Sequence, residues 1–138
     1  MFIQDSDYSD IINNEELAVI TANNPNNRKS AETKAISKIS HVLSRQYDIN
    51  AIFSAQGADR DATIIEYVIY YTLYILFGRI AKDKVPADRY EQYAEAREFF
   101  RMCAEDDINT NLPRKQTILG QEESPAIRFG SEERLSEV

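Results

Sequence analysis

The stretch IIEYVIYYTLYILF, Ile64 to Phe77, carries a single charge, Glu66, in an otherwise acidic and polar chain. How it is buried decides the fold. A membrane span needs about 20 mainly apolar residues. Counted from Ala62 to Ile80 the run already takes in Glu66, Gly78 and Arg79, and Lys82, Asp83 and Lys84 follow. It is therefore read as a buried helix and not as a membrane span. The β-branched residues would permit a strand, but one of this length is unusual. No turn residue interrupts the run before Gly78, so a helix is expected from Asp61 or Ala62 to Ile80.

A helix that is apolar all round must be covered all round. Tyr67, Tyr70, Tyr71 and Tyr74 make up half of the eight tyrosines, and their spacings of three and four place them on one stripe. Ile65, Ile69, Thr72, Leu73, Leu76 and Ile80 take the other side. Two coverings are open. The helix is central in its own domain, or its aliphatic side faces that core while the tyrosines meet a second subunit. Tyrosine suits the second role because it offers a large apolar ring and a polar tip. The four tyrosines are thus the candidate oligomer interface.

Outward from this helix the chain reads as all-α. Short helices are expected over Ser6 to Asn13, with Asp5 or Ser6 as cap, and over Asn14 to Ala22, with Asn14 as cap and Glu15 and Glu16 in its first turn. Asn23 to Asn27, around Pro25, reads as a turn. A third helix is expected from Ser30 as N-cap, with Glu32 in its first turn. Ala35, Ile36, Ile39, Val42, Leu43 and Tyr47 face inward, and Lys34, Ser37, Lys38 and Ser44 outward. Tyr47 to Asp61 is read as an irregular bridge. A last helix starts near Pro86, with Tyr93, Ala96, Phe100 and Cys103 on one face, flanked by Tyr90 and Phe99. The expectation is a compact bundle of about five helices over 1–110 and an extended C-terminal arm over 111–138.

The 138 residues suit one domain. A net charge of −7, with basic residues scattered among acids, argues against a sequence-independent grip on nucleic acid. The single cysteine, Cys103, fits a reducing compartment, and the N-terminus lacks the basic and apolar regions of a signal peptide. GxGxxG, GxxxxGK[ST], GxSxG and HExxH patterns are absent, and so is metal-ligand spacing around His41 or Cys103. His41 reads as a partly buried, hydrogen-bonded side chain, Cys103 as a small core residue, and the acid pairs as solvated. No catalytic residue, metal or cofactor is expected. In the arm, PAIRFGSEERL mixes aliphatic, aromatic and basic anchors as a docking segment would, with Ile127, Arg128, Phe129 and Leu135 as candidate docking residues.

Placed in order, these patterns resemble the small head-to-tail connector (neck, or head-completion) proteins of tailed bacteriophages, in the Mu-like subgroup. The similarity runs through MFIQDSDYSDII, through AETKAISKISHVLSRQYDINAIF with its SRQYD turn at Ser44 to Asp48, through DRYEQYAEAREFFRMCAEDDINTNLP, and into the closing AIRFGSEERLSEV. Two departures stand out: AEDDINTNLP lacks the glycine common after that helix, and Gly130-Ser131-Glu132 replaces a basic residue after the phenylalanine.

The resemblance implies a non-enzymatic structural virion protein. Its helical subunits would form a homo-oligomeric ring, commonly of twelve copies, below the portal, and join it to the tail or to the next neck ring. DNA would pass through the channel without sequence-specific binding. Location would be the virion neck, after assembly in the host cytoplasm, with no membrane partner. An acidic channel wall would repel DNA and suit passage without sticking. Two other readings stand beside it: a small helical DNA-binding packaging or regulatory protein, with RKSAETKAISK as its best recognition helix, and a small helical enzyme or ligand-binding domain.

Overall fold

Short polar side chains set where the helices begin. The computed structural model describes residues 2–80 and 82–116. Asn13 accepts a hydrogen bond from the Glu16 N–H at 2.7 Å and opens α1, Asn14–Ile20. Asn24 accepts from the Asn26 N–H at 3.0 Å and opens α2, Pro25–Leu43. Asp48 caps α3, Ile49–Phe53, at 3.1 Å, and Asp61 caps α4, Ala62–Phe77, at 3.0 Å. α5 spans Ala87–Ala104 directly after Pro86. Each such cap satisfies an amide that the helix itself leaves unpaired. Among the described residues there is no strand, only an isolated bridge between Tyr47 and Arg114. The fold is all-α.

Several boundaries differ from the sequence expectation. Ser6 to Asn13 does not form an α-helix; a 3₁₀ turn covers Asp5–Tyr8. α2 starts at Pro25, not at Ser30, because proline's fixed φ suits the first helical position once Asn24 supplies the cap. The reversal from α1 is made by Ala22 and Asn23, both left-handed at φ 55° and 57°. Part of the expected irregular bridge is helical, as α3. α4 ends at Phe77, three residues before Ile80.

The exit from α5 closes the question of the missing glycine. Asp106 holds φ 64°, the Asp107 N–H reaches the Met102 carbonyl at 2.8 Å, and the Asp106 N–H reaches that of Cys103. This is a Schellman ending with Asp where glycine is usual. Asparagine and aspartate are among the few side chains that visit this region routinely.

α4 packs on both α2 and α5, which also touch each other. Ala31, Ala35, Ile39 and Leu43 of α2 and Ala96, Phe100 and Cys103 of α5 are buried against Ile64, Val68, Ile69, Leu73 and Leu76. The N-terminal segment adds Phe2, Ile3, Tyr8 and Ile12 as a lid on one side. Two inward expectations on α2 fail: Val42 is 39% exposed, and His41 lies on the exposed surface rather than partly buried. Among the described residues no helix is long and apolar enough to cross a membrane.

Candidate interaction surfaces

The tyrosine stripe of α4 meets α5 of its own chain. Tyr71 is buried and packs on Tyr93 and Phe100, with ring centroids 5.0 and 5.8 Å apart. Tyr74 stacks on Tyr93 at 4.0 Å with an interplanar angle of 10°, and Tyr67 packs on Phe99 at 4.9 Å. The stripe is an intrachain aromatic layer, which gives α4 its second cover without a second subunit.

What the layer leaves outside is its polar edge. Tyr67, Tyr70 and Tyr74 are half-buried. The Tyr67 hydroxyl donates to Glu95 at 3.0 Å and the Tyr70 hydroxyl to Glu66 at 2.5 Å. Burial, then these carboxylate acceptors, push the Tyr67 phenol up to about 12 and raise that of Tyr70 as well. Tyr71, raised to about 12, owes it to burial and then to Tyr93. Both phenols stay protonated as donors, so the edge presents carboxylates, not phenolates. Tyr70 and Glu66 border a hollow of about 670 Å³ shared with Asp7 and Asp10. Among the described residues no group of His, Cys, Asp and Glu has the arrangement of a metal site.

Two clasps tie distant parts of the chain to the bundle. In the first, the buried Tyr8 hydroxyl donates to the buried Glu32 of α2, and Arg28 sits 5.0 Å over the Tyr8 ring while pairing with Glu32 and Asp5. Burial raises the Glu32 carboxyl above the usual range, although Tyr8 and Arg28 both pull it down. Beside it, Arg60 donates to Asp7 at 2.6 Å and to the Phe2 carbonyl at 2.8 Å. Burial would raise Asp7, but Arg60 and the Gln4 N–H outweigh it and hold it low.

In the second clasp the SRQYD turn grips the exit from α5. The Asp48 N–H donates to the Pro113 carbonyl at 2.9 Å, and the Lys115 N–H to the Gln46 carbonyl at 3.0 Å. Arg114 lies 4.9 Å over the buried Tyr47 ring and donates to Asp106 at 2.6 Å and to the Gln46 side chain at 3.0 Å. Gln46 in turn donates to the Ala104 carbonyl at 2.6 Å. Leu112 is buried, so the packed body reaches past residue 110.

Comparison with protein-family models, with curated proteins and with solved structures returns no match. Surface chemistry therefore has to carry the reading.

Ile127, Arg128, Phe129 and Leu135 lie outside the described residues. Cys103 is fully buried, as expected of a core residue, and burial pushes its thiol up to about 11, which leaves it unreactive. Sequence reasoning took Lys34 and Lys38 as a solvated face and did not join them to His41 and Arg45 along the outer flank of α2. Lys34, Lys38, His41 and Arg45 are all exposed there at spacings of four, three and four, with no Asp or Glu between Thr33 and Tyr47. The spacing was legible, but the third helix was read for its apolar face.

Proposed function

We propose that the chain is a structural connector subunit of a tailed-phage neck, which associates with copies of itself into a ring below the portal and joins it to the tail or to the next ring. The observation that carries this reading is the second clasp. The SRQYD turn and the INTNLP exit, both in stretches that resemble connectors, meet through the Asp48–Pro113 backbone hydrogen bond, and Lys115 and Arg114 just beyond extend the contact to Gln46 and Tyr47. That junction ties residues 113–115 to the bundle, just ahead of the stretch assigned to the docking arm. The all-α body and the carboxylate-rich edge beside α4 are consistent with a non-enzymatic channel component.

Because the tyrosine stripe is satisfied inside the chain, subunit contacts fall to other surfaces. Electron microscopy of the purified chain, alone and mixed with a tailed-phage portal protein, tests the reading. Rings with a central opening that cap the portal are expected. A monomer that ignores the portal contradicts it. Phe129→Ala is expected to weaken assembly while helicity by circular dichroism is unchanged; a loss of helicity would place Phe129 in the core instead.

One observation favours the runner-up, a DNA-binding packaging or regulatory protein: the basic flank of α2. Salt-dependent retention of duplex DNA in a gel shift would support it, and no shift at low salt would end it.

A further inference from the structure

The basic flank of α2 groups on one surface several basic side chains that form no ion pair among the described residues. Arg28, Arg60, Arg89, Arg101 and Arg114 all form ion pairs with carboxylates of this chain. Among the described residues, Lys34, Lys38, His41 and Arg45 form none. Arg79 extends the patch, since it shares with Lys34 a hollow of about 250 Å³ that Ile75 and Leu76 also line. Lys34, Lys38 and His41 cover about 10 Å of one helix face, and Arg45 follows in the turn after α2.

α5 carries the counterpart. Glu91, Glu95 and Glu98 are exposed at spacings of four and three, and Met102, half-buried, continues the line four residues on. Lys34, Lys38 and His41 on α2 and Glu91, Glu95 and Glu98 on α5 thus share a four-three spacing, one line basic and one acidic. Glu98 is shared with Arg101, and Glu95 accepts the Tyr67 hydroxyl, but Glu91 has no ion-pair partner among the described residues. Inside one chain α2, α4 and α5 all pack on one another, and among the described residues no ion pair links the two stripes.

From this we infer that the occupant of the α2 flank is the α5 stripe of a second copy of this chain, in a head-to-tail contact. The inference rests on the ring reading and gives it a surface. Two different faces meeting in this way make a heterologous contact, which propagates and closes into a ring if the rotation allows. A single exposed ion pair adds little, about 0–1 kcal/mol. The stripes therefore act on partner choice, register and association rate, and dewetting of Val42 and Met102 adds apolar area. Val42, 39% exposed, adjoins the basic line. Duplex DNA is the less suitable occupant: the chain is acidic overall, and a protein surface of matching register and opposite sign is present on the same molecule.

Sedimentation velocity on the full chain tests this, with wild type, K34E/K38E, E91K/E95K and an equimolar mixture of the two variants, at low and high salt. Wild type is expected to associate, and less so as salt rises. Each variant alone is expected to associate at least about tenfold more weakly, since like charges then face each other. The mixture is expected to regain wild-type association, because the reversed α2 of one variant fits the reversed α5 of the other. Helicity by circular dichroism checks each variant, and E91K/E98K replaces E91K/E95K if loss of the Tyr67–Glu95 bond disturbs folding. Variants that associate like wild type overturn the pairing while leaving the ring to other contacts. A mixture as weak as its components overturns it too. A wild type that stays monomeric throughout removes the ring reading and the pairing together. Retention on duplex DNA that K34E/K38E abolishes, with self-association unchanged, assigns the flank to phosphate and overturns the inference.

Discussion

The two clasps use the same parts and place them differently. Each lays an arginine over the ring of a buried tyrosine, at 5.0 Å for Arg28 on Tyr8 and 4.9 Å for Arg114 on Tyr47. At the N-terminal clasp the carboxylate partner, Glu32, is only 1% exposed. At the C-terminal clasp it is Asp106, at the surface. Burial makes each lost partner costly at the first site, whereas water substitutes for lost partners at the second. The N-terminal segment is thus part of the core, and the C-terminal exit is a latch on its surface. For the proposed connector, that division supplies a buried body and an exit held at the surface.

Tyr8→Phe is expected to give the largest effect, about 2 kcal/mol of destabilisation in urea melts, because Glu32 then lies buried with one donor fewer. A loss below about 0.5 kcal/mol would show that the first clasp is as solvent-compensated as the second. The same clasp has a pH signature. Burial raises the Glu32 carboxyl in the folded chain, so its stabilisation is complete below the ordinary glutamate range and is lost as pH rises through the elevated value. Wild type measured against Glu32→Gln should therefore gain relative stability as pH falls toward the ordinary range. The opposite slope would mean that Tyr8 and Arg28 outweigh burial.

Arg114→Ala is expected to cost about 1 kcal/mol, the sum of a stacked cation and an exposed ion pair, and less at high salt. A salt-independent loss of that size would place the latch in the core. The smallest effect belongs to Tyr47→Phe, below about 0.5 kcal/mol, because among the described residues the Tyr47 hydroxyl hydrogen-bonds only to Arg114, at 3.3 Å. A penalty equal to that of Tyr8→Phe would erase the contrast between the clasps.

What was legible in the sequence followed from periodicity and run length. α5 was readable because its apolar positions recur at helical spacing, α4 because its unbroken apolar run is too long for a strand, with Asp61 or Ala62 marked as its start. The beginning of α2 was not, because Asn23 to Asn27 carries the same residues as a turn, and only tertiary packing decides whether Pro25 ends one element or begins the next. With α2 extended to Pro25, Glu32 moves from a first-turn acid to its eighth residue, buried beside Tyr8. No local pattern links residues 24 positions apart. The tyrosine stripe gives a similar lesson: spacing identified the face, but the cover came from Tyr93, Phe99 and Phe100, and periodicity does not name a partner.

The central claim is that this chain is built to meet copies of itself. Native mass spectrometry of the intact 15.9 kDa chain across a concentration series tests it most directly. The account predicts oligomers that converge on one closed ring of defined copy number and weaken as ionic strength rises. A single monomer peak at every concentration and ionic strength would contradict it.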